Sequence, residues 1–158
     1  MLYTKRVNLF GRKVLQVAHR EVFMSVGTFD PSQLSAQARP IDGQLLQQAV
    51  EIAQRQSSSA GQLDLSDDEV SALQPLSIHA GWLEAAQQLS MADVVALIRL
   101  FTLGEGQFSS WQAGAKSPVV ALAKALKKRR EMTPELTTWI KRNTDNRYLP
   151  HGDLMDRL

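Results

Sequence analysis

The 158-residue chain contains no cysteine. That excludes a disulfide framework, thiolate nucleophiles and every zinc site with a Cys ligand, and it fits a reducing cytoplasm. Histidine is scarce too: His19, His79 and His151 are the three in the chain. They form no H-x-x-x-H or H-E-x-x-H pattern, and no G-x-S-x-G elbow is present. Residues 1–13, M-L-Y-T-K-R-V-N-L-F-G-R-K, lack the apolar run of a secretory signal, so a cytoplasmic address is expected. No apolar run reaches the ~20 residues that span a bilayer, so no membrane role is expected. Aromatic residues make up only 6%, which makes each of them worth locating.

What is present suits one domain. Apolar residues are 44% of the chain, enough for a core and too many for disorder. The expected domain is 1–158, and 57–65 is where a subdivision into N- and C-terminal helical parts would fall. Net charge is +2, unevenly spread: +4 over 1–40, −6 over 41–100 and +4 over 101–158. Basic ends packing on an acidic middle account for this, and so does a basic surface that meets phosphates or an acidic partner.

Helical spacing dominates. Residues 90–103, S-M-A-D-V-V-A-L-I-R-L-F-T-L, carry two charges, Asp93 and Arg99, and almost no polar face. A helix apolar nearly all round is buried by its neighbours, so this one is expected at the centre. Ser90 is its N-cap and Gly104 its expected stop. Arg99 marks its narrow solvent side. Asp42 caps a helix over 43–56 with Leu45, Leu46, Ala49, Val50 and Ala53 inward. Ser57 to Gly61 reads as a flexible connection. Ser66 and Glu69 form a capping box for a short helix to Leu73, which Pro75 ends.

A further helix is expected over 76–89, with His79 packed on its apolar side, paired antiparallel with 90–103. Residues 104–116, G-E-G-Q-F-S-S-W-Q-A-G-A-K, read as an ordered loop. Ser117-Pro118 and Thr133-Pro134 each start a helix, to about Arg130 and Asn143. The first turns Val119, Leu122, Ala123 and Leu126 inward, and the second Leu136, Trp139 and Ile140. Earlier, a helix is expected over 12–26 and a loop over 28–40. At the end Asp153 caps a turn burying Leu154, Met155 and Leu158. The expected fold is therefore all-α, with six or seven helices around 90–103.

Function is less legible. Gly114-Ala115-Lys116-Ser117 resembles the end of a Walker A loop, but the G-x-x-x-x-G spacing is missing and a helix, not a strand, precedes it. Backbone amides at the start of the 118–130 helix remain able to receive an anion. Phe108 and Trp111 in the loop, with Arg147 and Tyr148, are the candidate partner-binding residues, because aromatic anchors in structured loops make binding hot spots. The equal alternative is that Phe108, Trp111, Tyr148 and Leu149 fold back as lids on the helical core. Lys124, Lys127, Lys128, Lys141 and Arg142 are the candidate nucleic-acid contacts. They lie on two helices, 118–143, joined by a turn of helix-turn-helix length.

The leading expectation is a non-enzymatic cytoplasmic interaction or regulatory protein. It binds a protein, a second copy of itself included, through the 104–116 loop and the C-terminal helices. Nucleic-acid binding by the basic helix pair is the alternative, and an enzyme of unknown class the third. No catalytic, metal or cofactor residue is assigned and no cofactor is expected.

Overall fold

The chain divides into two units, Met1–Ala36 and Gln37–Leu158. The computed structural model describes residues 39–59 and 61–153, all within the second. The expected helix over 12–26, most of the 28–40 loop and the buried turn after Asp153 lie outside the described residues. The described part is all-α. It holds six α-helices and three 3-10 turns and, among the described residues, no strand. No helix among them is long and apolar enough to cross a membrane.

Helix α1, Gly43–Gln56, starts where Asp42 accepts from the Gln44 and Leu45 amides, each at 3.0 Å. It buries Ala49, Ile52, Ala53 and Gln56. The segment that follows is not slack. Gln56 clasps Asp64 through both its amide nitrogen (2.8 Å to the carbonyl) and its oxygen (2.9 Å from the N–H). Gln107 clasps Leu63 in the same two-handed way at 2.9 Å. The two glutamines satisfy backbone groups that a strand neighbour would otherwise pair.

Helix α2, Asp67–Leu73, opens on the expected capping box: Ser66 Oγ accepts from the Glu69 N–H, and Glu69 Oε2 accepts from the Ser66 N–H. The expected helix over 76–89 is instead two pieces, a 3-10 turn at Gln74–Ile78 and helix α3, Trp82–Gln87. The break is chemical. The Leu76 carbonyl is taken by the His79 N–H and by the Trp82 indole at 2.8 Å. His79 Nδ1 accepts from the Gly81 N–H at 2.9 Å, turning the chain there. His79 is therefore half-buried in a turn and not packed on a helix face.

Helix α4, Met91–Gln107, is the centre of the unit, as expected, and buries ten of its residues, among them Val94, Leu97, Ile98 and Phe101. Its main partners are α1 and helix α5, Pro118–Lys128, while α3 packs on α5. In place of the expected antiparallel pair of 76–89 with 90–103, α3 packs mainly on α5 and meets α4 through Trp82 against Phe101. Helix α4 also passes the expected stop. Gly104 lies inside it, and a Cβ there would stand 2.3 Å from the Trp111 ring. Gly104 is a seat for the indole, so the helix continues for three more residues and closes at Phe108, whose N–H reaches the Gly104 carbonyl at 2.7 Å.

Ser117 caps α5, with Pro118 at its first position, and Val119, Leu122, Ala123 and Leu126 face the core as expected. The helix ends at Lys128 in a Schellman cap. The Glu131 N–H reaches the Leu126 carbonyl, the Arg130 N–H reaches that of Lys127, and Arg130 takes φ 58°. Beside it Arg129 Nη1 donates to the Ala86 and Leu89 carbonyls at 3.2 and 2.9 Å, at the C-terminal end of α3. Helix α6, Pro134–Arg142, starts from Thr133 and buries Leu136 and Ile140. Its Trp139 is half-buried, with the Arg99 guanidinium 5.5 Å from its ring centroid. Arg99 thus leaves the core side of α4 for an aromatic face, which stabilises a cation by its quadrupole.

Candidate functional site

The expected loop anchors are core residues. Trp111 is 0% exposed, and its indole N–H donates to the Val70 carbonyl at 3.1 Å. Its ring packs 5.6 Å from Phe101 and 5.2 Å from Phe108, and Phe101 in turn meets Trp82 edge-on at 5.3 Å. The 104–116 segment is the end of α4 and two 3-10 turns, Ser109–Trp111 and Gly114–Lys116, folded onto the core. This corrects the reading of Trp111 as an exposed hot spot, and Phe108, half-buried against it, goes with it. Arg147 is exposed and half-buried Tyr148 adjoins it, the guanidinium 5.1 Å from the ring centroid.

The open surface feature is elsewhere. A groove of about 830 Å³ runs between α5 and the 78–83 segment. That size falls in the ~300–1,000 Å³ range of ligand sites. On one side α5 presents Val120, Ala121, Lys124 and Lys127, which lie off its core stripe of Val119, Leu122, Ala123 and Leu126. Across from it stand Ile78, His79, Ala80 and Leu83. Lys116, Pro118, Pro150 and His151 complete the lining. Three lysines and two histidines line the groove, and no carboxylate does so among the described residues. Ile78 is 63% exposed, the most open large hydrophobic side chain among the described residues. Lys127 Nζ lies 2.7 Å from His151 Nδ1. An ammonium has no lone pair, so Nδ1 accepts and the ring carries its hydrogen on Nε2.

The predicted cationic set is thus divided. Lys124 and Lys127 reach the groove, and Lys128, Lys141 and Arg142, all exposed, are not part of its lining. Sequence reasoning missed Lys116, His79, His151 and Ile78 as companions of those two lysines. One sign was present. Val120 and Ala121 are apolar yet lie off the inward stripe of 119, 122, 123 and 126, which gives α5 a second apolar strip.

Buried Glu105 joins α4 to the 143–153 segment. Its Oε2 accepts from Asn146 Nδ2 at 3.1 Å, and the same amide donates to the Gly114 carbonyl at 3.0 Å. Glu105 also lines a pocket of about 320 Å³ with Gly114, Asp145 and Asn146. Burial pushes its carboxyl above the ordinary range, while hydrogen bonding from Ser117 and Asn146 holds it back. The folded state therefore binds this proton more tightly than the unfolded chain. The stabilisation is full below the unfolded value and is lost as pH rises through the folded one. Glu105→Gln keeps an oxygen for Asn146 and removes the buried charge. It is expected to raise Tm by a few °C at neutral pH and to change it little near pH 4. Thermal unfolding of both proteins across pH checks this, and a pH-independent difference contradicts it.

Among the described residues no group of three or more His, Asp or Glu is placed to hold a metal ion. No family model, curated protein or solved structure matches this chain.

Proposed function

We propose that the Gln37–Leu158 unit is a protein-interaction module whose partner docks in the groove between α5 and the 78–83 segment, and not on the 104–116 turns. The observation that carries this is the groove's make-up: an aliphatic lining with an exposed Ile78 at a site large enough for several side chains. Exposed apolar surface with a cationic surround is what a partner's side chains cover. Proton-transfer chemistry fits less well. Both histidines are engaged at Nδ1, His79 by the Gly81 N–H and His151 by Lys127. No carboxylate among the described residues lines the groove to orient the His79 ring.

Nucleic-acid binding is the weaker second reading, supported by Lys116, Lys124 and Lys127. The lining offers no Phe, Tyr or Trp platform for bases and no Arg, Asn or Gln for base edges.

Selection of peptides from an unbiased display library tests the proposal. Ile78 and Ala80 are exposed, so Ile78→Asp and Ala80→Arg are expected to leave folding intact and to weaken selected peptides at least tenfold. Lys141→Glu, away from the groove, is expected to change little. Binders indifferent to both groove variants, or no binders at all, overturn the proposal.

A further inference from the structure

Resting on that reading, we infer that the groove's occupant is an acidic segment of a partner protein. An apolar side chain seats beside Ile78 and Leu83, and carboxylates meet Lys116 and Lys124.

Three observations carry this. The first is sign: Lys116 and Lys124, both exposed, line one groove together with Lys127, in a chain whose net charge is only +2. Exposed like charges gathered on one surface raise the local potential and favour an oppositely charged ligand. The second is spacing. Lys124 and Lys127 lie three apart on α5, so they stand on one face one turn from each other. Lys116 precedes the helix and Lys127 lies in its last turn, a separation of roughly 15 Å at 1.5 Å per residue. A single phosphate cannot touch both ends. A segment of about ten residues in a helix, or about five in an extended chain, does.

The third is what lies between the charges. Ile78, Leu83, Val120 and Ala121 give the middle of the groove an aliphatic surface. A phosphodiester backbone would leave it uncovered, whereas an amphipathic peptide covers it with a side chain while its acids reach the rim. Lys127 already contacts His151, so the weight of the inference falls on Lys116 and Lys124, both exposed.

The experiment uses the full chain and the peptides selected as above. Their consensus is synthesised with its acids intact and with Glu→Gln and Asp→Asn exchanges. Dissociation constants are measured by fluorescence anisotropy between 50 and 200 mM salt, beside a labelled single-stranded oligonucleotide. The expected result is a consensus rich in Asp and Glu around one or two apolar positions. Neutralised peptides bind at least tenfold more weakly. Lys116→Glu and Lys124→Glu each weaken binding roughly fivefold to tenfold, by loss of attraction and gain of repulsion. A peptide with one Glu→Lys exchange recovers affinity for the Lys124→Glu protein.

Peptides blocked by Ile78→Asp but carrying no acidic bias, and indifferent to the lysine reversals, overturn this inference and leave the groove as the docking site. Peptides indifferent to Ile78→Asp overturn the docking site as well. An oligonucleotide that displaces every selected peptide and binds more tightly overturns the inference in favour of nucleic acid.

Discussion

Trp111→Ala is expected to remove about 3–5 kcal/mol of stability. That is a large share of the 5–15 kcal/mol that holds a typical domain together. The indole is 0% exposed, sits between Phe101 and Phe108, and gives its N–H to the Val70 carbonyl. Truncation leaves a cavity among residues that α4 holds in place, and it orphans a carbonyl. Denaturant unfolding followed by circular dichroism measures the loss. A variant within 1 kcal/mol of the parent would mean that the indole is not part of the core. The sequence alone left two readings level: an exposed anchor whose loss would cost affinity and little stability, and a lid folded back on the core. The structure shows the second for Trp111.

Gly104→Ala is expected to cost about 3 kcal/mol, although alanine in a helix interior ordinarily gains about 1 kcal/mol over glycine. The sign turns on one contact, since the added Cβ would lie 2.3 Å from the Trp111 ring. The ring cannot retreat, because Phe101 and Phe108 hold it and Val70 fixes its N–H. The check is a double-mutant cycle. In a Trp111→Leu background the smaller side chain leaves room, and Gly104→Ala becomes neutral or favourable. Additive costs in the two backgrounds would refute the steric account.

These two residues also show where sequence reading stops. The helix starts at Asp42, Ser66, Ser90, Ser117 and Thr133 were all legible. A cap is a bond between a side chain and a backbone amide two or three residues away, so its whole cause lies within one short string. The central burial of α4 was legible for a similar reason, since a helix with no polar face has nowhere else to go. Gly104 was misread because the partner that requires glycine, Trp111, returns from outside the helix. The break at His79 was missed because it depends on the Trp82 indole reaching back to Leu76. Neither the paired clasps of Gln56 and Gln107 nor the convergence of Lys116, Lys124 and His79 has a local pattern. Each is made by chain segments that meet through folding.

The clasp of Arg129 on the Ala86 and Leu89 carbonyls joins the C-terminal ends of α5 and α3, the two elements that flank the groove. An ion pair to Glu131 at 2.8 Å steadies the same guanidinium. The clasp ties the end of α3 to the end of α5 by hydrogen bonds within the fold itself. On the proposed docking, a segment entering the groove would meet walls already joined at one end. Its rate of arrival would then follow long-range attraction and fall as salt screens it, while its residence time would follow the fit of the apolar side chain beside Ile78. Arrival and departure would answer to different parts of one groove.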